Sequence, residues 1–277
     1  MNSETGSTQF AASADDLARL VPHAAKVALF KDCGVPMALG CALVRHAVRE
    51  LHIVTLPTGG ILPDMLIGAG CVATIETAGV TLGEFGLAPR FIVAVKRGQV
   101  RILDATCPAL YAGLQAAEKG IPFMPLRGLI GSDIVAARND FRVIDNPFGE
   151  DDPIVLLPAI TPDIALFHAP YADRAGNVYV GRQKELKLLA HAARKTLVTV
   201  ERVVDFNLLE QDEIAAASLN ALYVDAIAVA PRGAWPSNLP GHYDVDRAAL
   251  ADYAKAAATG DGFAAWLSRT LAVDAAA

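Results

Sequence analysis

Residues 51–77 read LHIVTLPTGGILPDMLIGAGCVATIET, and this segment decides the fold class. Two apolar runs within it, 51–56 and 71–77, have the length and composition of buried strands. Between them, the glycine pair in 58–60 predicts a tight turn, and 63–68 predicts a short helix. A strand, a helix and a second strand in one short segment indicate parallel strands joined by a crossover helix.

The same alternation of strands and helices continues on both sides of this segment. Strands are predicted at 26–30, 100–103, 154–157, 164–169, 197–204 and 224–230, and helices at 13–20, 37–50, 89–97, 108–119, 186–194 and from 246 onward. Only 122–153, which is rich in proline, glycine and aspartate, predicts a long irregular excursion. We therefore expect an α/β fold with an open, mainly parallel sheet flanked by helices. The prediction is a single domain over 1–277, in which 1–25 is a polar lead-in with one short helix and 1–14 is a frayed tail.

Composition and charge exclude several classes of protein. The chain has 277 residues, of which 53% are hydrophobic, and this suits a sheet covered on both faces or an oligomer with a large apolar interface. The longest apolar stretch, 53–75, is interrupted by prolines, glycines and an aspartate, so we expect no membrane span. The net charge is −6 and the basic residues are scattered, which argues against a nucleic acid partner.

The cysteines and the first residues bear on the compartment. Four cysteines lie far apart without a C-x-x-C pair, and they are typical of buried thiols. The polar start, 1–14, lacks a basic region followed by an apolar one, so no signal peptide is expected and the predicted location is cytoplasmic. The histidines show no spacing typical of metal ligands, and we expect no metal.

A glycine motif at 68–73, GAGCVA, fits the dinucleotide-binding pattern G-x-G-x-x-A. That pattern requires a strand before it and a helix that begins within it. In this chain a predicted helix precedes the motif and a predicted strand follows. The order favours a turn that ends a helix over a nucleotide site.

Two other turns are candidates for binding a small molecule. Thr58, Gly59 and Gly60 offer a hydroxyl and backbone N–H groups that suit a carboxylate or a thioester carbonyl. The alternative is an ordinary turn at the end of a strand. Glu84, in the glycine-flanked loop 83–89, is either a buried functional carboxylate or a surface glutamate that orders the loop.

Two reactive residue types have simpler interpretations. Cys107 is predicted where a strand gives way to a helix, a place that activates thiolates, but an inert buried thiol is the more common case. His168 ends an apolar strand and is typical of a hydrogen-bonded core histidine. The sequence has no G-x-S-x-G motif and no evident nucleophile–base pair. We therefore expect a partner chain to complete any chemistry.

The order of short motifs resembles the A (alpha) subunit of the family I CoA-transferases, in the glutaconate CoA-transferase branch. The segments that carry the resemblance are 36–39 (PMAL), 58–60 (TGG), 66–72 (LIGAGCV), 85–91 (FGLAPRF), 120–123 (GIPF), 127–133 (RGLIGSD), 163–168 (DIALFH), 172–177 (ADRAGN), 200–204 (VERVV) and 230–236 (APRGAWP). They cover the chain from about 26 to 246.

The resemblance implies a heteromeric enzyme that moves CoA between an acyl-CoA and a carboxylic acid. It implies a B subunit of similar fold, in a heterodimer or heterotetramer, and places the catalytic glutamate on that subunit. This chain would then carry no catalytic residue, and Thr58, Gly59 and Gly60 would line the substrate pocket with the Glu84 loop behind them. The CoA thioester would be a substrate, with no cofactor bound permanently and no metal.

The chain also departs from the family pattern. Members usually have a glycine pair after the first strand, whereas 30–34 read FKDCG, and the bulky Phe30 and charged Lys31 should reshape the mouth of the cleft. Relatives in this branch include a decarboxylase of a glutaconyl-CoA and a hydrolase that opens a ring in a steroid-derived CoA thioester. Such a hydrolase or decarboxylase subunit, and a non-catalytic acyl-CoA-binding subunit, remain as alternative functions.

Overall fold

A large parallel sheet forms the centre of the molecule, in a computed structural model that describes residues 8–31 and 33–274. Within these ranges the strands are β1 (Gln9–Ala11), β2 (Lys26–Phe30), β3 (Leu51–Leu56), β4 (Val72–Thr77), β5 (Arg101–Asp104), β6 (Phe123–Leu126), β7 (Arg142–Asp145), β8 (Pro153–Pro158), β9 (Ile164–Asp173), β10 (Val178–Tyr179), β11 (Lys195–Val204), β12 (Ser218–Leu219) and β13 (Ala226–Val229). The main sheet has the order β1-β13-β11-β9-β2-β3-β4-β5, and each neighbouring pair in this order is parallel. The predicted fold class is confirmed.

Helices cover both faces of the main sheet. In the same ranges they are α1 (Ala14–Ala18), α2 (Met37–Arg45), α3 (Ile61–Gly68), α4 (Pro89–Lys96), α5 (Cys107–Glu118), α6 (Asp133–Ala137), α7 (Lys184–Ala192), α8 (Asp212–Ala215), α9 (Arg247–Ala256) and α10 (Gly260–Asp274). Alternate residues of β2 point to opposite faces: Val27 and Leu29 pack with α2 and α3, whereas Ala28 and Phe30 pack with α5 and α7. This double burial explains why the strands are apolar throughout.

The strand order places a switch point between β2 and β9. From β2 the chain builds outward through β3, β4 and β5, and the later strands β9, β11 and β13 lie on the other side of β2. In open α/β sheets, ligands bind beyond the carboxyl ends of the strands near such a reversal. The edge beyond β2, β3 and β9 is therefore the part of the fold suited to a small-molecule site.

The excursion 122–153 is not irregular, which corrects the sequence-based expectation. It contains β6, α6 and β7, and with β8 it forms a three-stranded antiparallel sheet in the order β6-β8-β7. Pro125 lies in the outer strand β6 and Pro153 begins β8, and both are places where a strand tolerates the loss of an N–H donor. The strand prediction at 154–157 was right in type, but that strand belongs to this second sheet.

A buried ion pair joins the second sheet region to the main sheet. Arg138 Nη2 lies 2.7 Å from Glu76 Oε1, and both side chains are almost completely buried. Burial opposes ionisation of Glu76, yet the His52 ring 3.5 Å away and the Arg138 guanidinium together hold its pKa below the usual value. The excursion is thus attached to β4 by charge as well as by apolar packing.

The beginning of the chain is more ordered than predicted. Gln9–Ala11 pairs with Ala226–Ala228 as an edge strand, so the lead-in is not frayed there; residues 1–7 lie outside the described part. Ser13 caps α1, with Asp16 N donating to Ser13 Oγ over 3.2 Å, as the capping pattern predicts. Helix α2 ends at Arg45, earlier than the predicted 37–50, and Ala47 and Glu50 then adopt positive φ angles of 50° and 61°.

Candidate substrate site

A cavity of about 170 Å³ opens beyond the carboxyl ends of β2 and β3. Its wall combines the ends of these strands, the turn 58–60, the start of α3, the loop 81–83 and four residues from the segment before and in α9, namely Ser237, Asn238, Val245 and Leu250. The segment 51–77 therefore supplies much of the wall. Thr58, Gly59 and Gly60, the three turn residues singled out from the sequence, all lie in it.

Hydrogen bonds hold the turn at 58–60 in place. Gly59 N donates to Gly79 O over 2.8 Å, and Thr81 N donates to Gly59 O over 3.0 Å. A Cβ atom on Gly59 would lie 2.9 Å from a Pro63 side-chain carbon, closer than real Cβ atoms approach, and 3.1 Å from Val80 side-chain carbons, which is tighter than most real contacts. The turn therefore needs glycine at this position because the neighbouring loop packs directly on its backbone.

The buried hydroxyls beneath the turn are already paired. Thr55 Oγ1 lies 2.6 Å from Thr77 Oγ1, and Thr77 Oγ1 donates to Gly79 O over 2.8 Å. This chain of hydrogen bonds joins the ends of β3 and β4 to the loop that supports Gly59. It stabilises the wall and leaves Thr55 without a free hydroxyl for a ligand.

Four polar side chains of the wall remain open to a ligand. The Thr58 and Ser237 hydroxyls, the Asn238 amide and the Lys31 ammonium group have no hydrogen-bond or ion-pair partner among residues 8–31 and 33–274. No carboxylate, histidine or cysteine from the described residues lines the cavity. The site can bind and orient a carboxylate or carbonyl oxygen, but it contains no nucleophile–base pair.

Glu84 does not have the position expected of a buried carboxylate. Its side chain is 55% exposed and forms an ion pair with Arg247 at the start of α9. The neighbouring Gly83 lines the cavity, whereas Glu84 does not. The expectation of a buried functional carboxylate is therefore wrong. Glu84 has the geometry of the alternative, a surface glutamate that orders its loop. Its partner Arg247 lies between Val245 and Leu250 in the sequence, and both of these residues belong to the cavity wall.

A second polar cluster lies in the middle of β9 and β11, just past the level at which the neighbouring strand β2 ends. His168 Nδ1 is 2.9 Å from Thr199 Oγ1 and His168 Nε2 is 2.8 Å from Glu201 Oε1. The Tyr243 hydroxyl donates to Glu201 Oε1 over 2.9 Å, and Arg232 N donates to Glu201 Oε2 over 2.8 Å. We call these residues, with Ala234 N donating to Tyr243, the His168–Glu201 network. It fastens segment 231–243, which carries Ser237 and Asn238, to the sheet.

Charge in this network follows from burial and hydrogen bonding together. Burial lowers the pKa of His168 below its usual value, which favours the neutral ring. Burial works against ionisation of Glu201, but hydrogen bonds from His168, Arg232 N and Tyr243 lower its pKa to about 2. Burial, reinforced by the neighbouring Glu201 carboxylate, raises the pKa of Tyr243. His168 is thus a fully hydrogen-bonded core histidine, as the sequence suggested.

The remaining candidates from the sequence lie outside the cavity. Cys107 begins α5 after the cap residue Thr106 and is partly exposed, but it does not line the cavity. Helix α3 precedes the GAGCVA motif and strand β4 follows it, the order that argued against nucleotide binding. The described residues contain no cluster of side chains suited to a metal ion, and no helix among them is long and apolar enough to cross a membrane.

Residues 13–230 match the sequence profile of the coenzyme A transferase family. The chain belongs to this family. Among its relatives is the A subunit of 3-oxoadipate CoA-transferase from Pseudomonas knackmussii, 29% identical over 84% of this chain and 82% of that protein. The cholesterol ring-cleaving hydrolase IpdA subunit of Rhodococcus jostii is 32% identical over 81% of this chain and 78% of that protein. An uncharacterized protein of Archaeoglobus fulgidus is 32% identical, and this chain spans only 51% of its length.

Solved structures agree with this assignment. Glutaconate CoA-transferase from Acidaminococcus fermentans has a TM-score of 0.86 at 26% identity, with 95% of this chain and 88% of that chain covered. The decarboxylase AibA/AibB has a TM-score of 0.85 at 28% identity, with 96% and 99% covered. The resemblance inferred from the motifs, including its branch, is confirmed. The family and fold thus include proteins named as transferases, a hydrolase and a decarboxylase.

Proposed function

We propose that this chain is the A subunit of a heteromeric CoA-transferase and that it holds the acyl or carboxylate part of the substrates. One observation carries the proposal: the cavity offers free neutral donors and a cation, but its wall, as described, lacks a nucleophile–base pair. Such a site binds a carboxylic acid or acyl group without being able to transfer it. A partner B subunit then supplies the reactive glutamate, in a heterodimer or heterotetramer.

The reaction divides between the two chains. The partner's glutamate attacks the acyl-CoA carbonyl, which forms a mixed anhydride and releases the CoA thiolate. The thiolate attacks the glutamyl carbonyl of the anhydride, which gives glutamyl-CoA and frees the first acid. The acceptor acid then repeats both steps in reverse. In this scheme coenzyme A enters as part of the substrate thioester, and no permanently bound cofactor is required.

Thr58, Gly59 and Gly60 orient the reacting group in this proposal. The Thr58 hydroxyl can donate to a carboxylate or anhydride oxygen, and Gly60 precedes the first N–H groups of α3, which have no acceptor within the helix. Gly59 keeps the turn close to the 79–81 loop. Glu84 acts from outside the cavity, through its ion pair with Arg247, by holding the loop that carries Gly83.

Reconstitution with the partner tests the division of labour. The B-subunit homologue, sought in the neighbouring reading frame, is produced together with this chain, and exchange of CoA between acyl-CoA and free acids is followed. We expect ping-pong kinetics from the complex and no exchange from this chain alone. Exchange by the isolated chain at a rate that the B subunit leaves unchanged would contradict the proposal.

A second candidate keeps the complex and changes the chemistry to hydrolysis or decarboxylation of a CoA thioester. It is favoured by the 32% identity to the IpdA subunit and by the TM-score of 0.85 to AibA/AibB. Mass spectrometry of the products separates the candidates. Loss of CO2 or ring opening without an acceptor acid supports the second candidate, whereas product formation that requires an acceptor acid supports the transferase.

A further inference from the structure

A second, larger cavity of about 600 Å³ borders the same segment 231–243 as the first. Its wall combines the first half of α2, residues 231–236 and side chains from α9 and α10, and the two cavities share no lining residue among those described. We call it the tryptophan cavity, because Trp235 and Trp266, the two tryptophans of the chain, both line it. Its volume is within the range typical of sites for small molecules.

Aromatic and apolar groups form the fixed part of this wall. The Trp266 ring packs edge-on against the Tyr253 ring, with 4.6 Å between the ring centroids. The Trp235 ring is held by its Nε1, which donates to Asp246 Oδ2 over 2.9 Å. Met37, at the start of α2, adds a polarisable apolar side chain. Rings that are already held in place favour a ligand that offers a flat aromatic surface.

The indole N–H of Trp266 is a donor without an acceptor. Trp266 is only 7% exposed, yet its N–H has no hydrogen-bond partner among the described residues. In this part of the chain, His52 Nε2 and Arg90 Nε are the unpartnered side-chain atoms that are wholly enclosed, so the Trp266 N–H still reaches open space. Buried tryptophans usually pair this group. Since Trp266 lines the cavity, its N–H is available to an oxygen atom of a ligand.

Arg232 supplies an unpaired positive charge at the edge of the tryptophan cavity. Its guanidinium carbon lies 5.3 Å from the centroid of the Tyr243 ring, and it forms no ion pair with a described residue. Asp246 is within reach of its charge but already accepts two hydrogen bonds. The other arginine of the wall, Arg269, has Asp252 3.6 Å away. One free guanidinium beside an aromatic wall suits a ligand with a single negative charge.

We propose that the tryptophan cavity is a second binding site, which takes an aromatic carboxylate. The ring of the ligand packs against the two indoles, and its carboxylate pairs with Arg232. This inference goes beyond the proposed function and does not depend on it. Coenzyme A is the less suitable ligand, because its nucleotide end carries several phosphate charges. An occupant would also brace the segment that contributes Ser237 and Asn238 to the first cavity.

Calorimetry with three probes tests this chemistry on the full-length chain. Hydrocinnamate has a ring and a carboxylate, hydrocinnamyl alcohol has the same ring without the charge, and hexanoate has the charge without the ring. We expect hydrocinnamate to bind about ten-fold more tightly than either of the others. Absence of saturable binding, or equal affinities for hydrocinnamate and the alcohol, would overturn the proposal.

Variants of two arginines separate the carboxylate contact from a general change in charge. Arg232→Met should weaken hydrocinnamate about ten-fold and leave hydrocinnamyl alcohol unchanged, because the alcohol makes no charged contact. Arg97→Met removes an exposed arginine outside the cavity wall and should change neither affinity. Thermal melting checks that the Arg232 variant folds, and Arg232→Gln replaces it where the apolar variant does not. Equal weakening of both ligands, or no change in either, contradicts the role of Arg232.

Tryptophan emission then locates the bound probe. Both tryptophans of the chain line this cavity, and hydrocinnamate does not absorb at the red edge of tryptophan absorption, where the emission is excited. We expect the emission to change with the same dissociation constant that calorimetry gives. Binding heat without a change in emission would place the probe elsewhere in the molecule and contradict the proposal.

Competition and the assembled complex distinguish this site from the substrate site. We expect hydrocinnamate to bind the complex with the B subunit as tightly as the isolated chain, and coenzyme A not to displace it. Displacement by coenzyme A would assign the tryptophan cavity to the substrate. Loss of binding in the complex would assign it to the contact between the subunits. Either result would overturn the proposal.

Discussion

The cavity beyond β2 and β3 and the His168–Glu201 network on β9 and β11 are two polar regions of one sheet, yet their polar groups are in opposite states. In the network, both ring nitrogens of His168 and both oxygens of Glu201 have partners at 2.8–2.9 Å. In the cavity, the polar ends of Lys31, Thr58 and Ser237 have no partner among the described residues. The paired groups of the network fix a segment of chain, whereas the unpaired groups of the cavity are available to a ligand.

The two regions are also connected. Segment 231–243 is fastened by the network and contributes Ser237 and Asn238 to the cavity wall. The network therefore positions part of the cavity wall, and the cavity is the proposed place of the substrate. Variants in the two regions should separate stability from binding, with the largest effect expected where the most hydrogen bonds are lost.

Glu201→Ala tests the structural role of the network. It removes the acceptor of His168, Tyr243 and the Arg232 N–H at once, and we expect the free energy of unfolding to fall by about 3 kcal/mol. Chemical denaturation measures this change. Glu118→Ala is the matched control, because Glu118 pairs with His191 over 3.2 Å at a more exposed position. Its removal should lower the free energy of unfolding by no more than about 1 kcal/mol. Equal losses of unfolding free energy in the two variants would contradict the larger structural role assigned to the His168–Glu201 network.

Thr58→Val tests the binding role of the cavity. It removes a hydroxyl without a protein partner, so folding should be nearly unchanged, while substrate binding or turnover should weaken by about 1.5–3 kcal/mol. Thr55→Val should behave in the reverse way, since its buried hydroxyl bonds to Thr77, and we expect a loss of about 1 kcal/mol in stability. Thermal melting and turnover by the complex, measured for both variants, check this contrast between Thr58 and Thr55. If Thr58→Val leaves substrate binding and turnover unchanged, the turn at 58–60 only ends a strand and does not orient the substrate.

Gly59→Ala tests how rigidly the cavity wall is packed. The new methyl group would lie 2.9 Å from Pro63 and 3.1 Å from Val80, and overpacking of this kind lowers stability by about 1–3 kcal/mol. The turn must also move, so binding should weaken together with stability. Gly260→Ala is the control, because nothing lies within 4 Å of a Cβ atom at that position. Denaturation curves of the two variants should differ; coincident curves would show that the turn yields freely.

The pH dependence of the network tests whether the charge of Glu201 stabilises the fold. The pKa of Glu201 falls from a usual value near 4.5 to about 2 in the folded chain, so its ionised form stabilises the fold. This contribution is fully present above about pH 4.5 and is lost as the pH falls toward 2. The difference in unfolding free energy between the unaltered chain and Glu201→Gln should therefore shrink over that interval. A difference that stays constant with pH would mean that the Glu201 charge contributes nothing.

Most of the fold was readable from the sequence because its elements follow local rules. The apolar run in Val27–Phe30, the cap at Ser13 and the turn at 58–60 each depend on a few neighbouring residues. The second sheet was missed because prolines at 122, 125 and 153 are typical of loops, and only pairing across the chain shows that Pro125 and Pro153 lie in strands. Strand β1 was missed because it has only three residues and becomes a strand only beside β13.

The candidate site was predictable only in part, for a related reason. The glycine turn could be found because glycine itself marks the need for close packing. His168, Glu201 and Tyr243 are far apart in the sequence, and the register that sets His168 opposite Thr199 brings them together. The motifs DIALFH and VERVV, which lie on the two neighbouring strands β9 and β11, were the available signal. The exposure of Glu84 could not be read at all, since it depends on Arg247 in a distant helix.

The central claim is that this chain forms the wall of the site and its partner supplies the nucleophile. The most direct test incubates the complex of this chain and its B subunit with acyl-CoA, without an acceptor acid, and determines by intact-mass spectrometry which chain gains coenzyme A. We expect the covalent adduct on a glutamate of the B subunit and an unchanged mass for this chain. A coenzyme A or acyl adduct on this chain would contradict the claim.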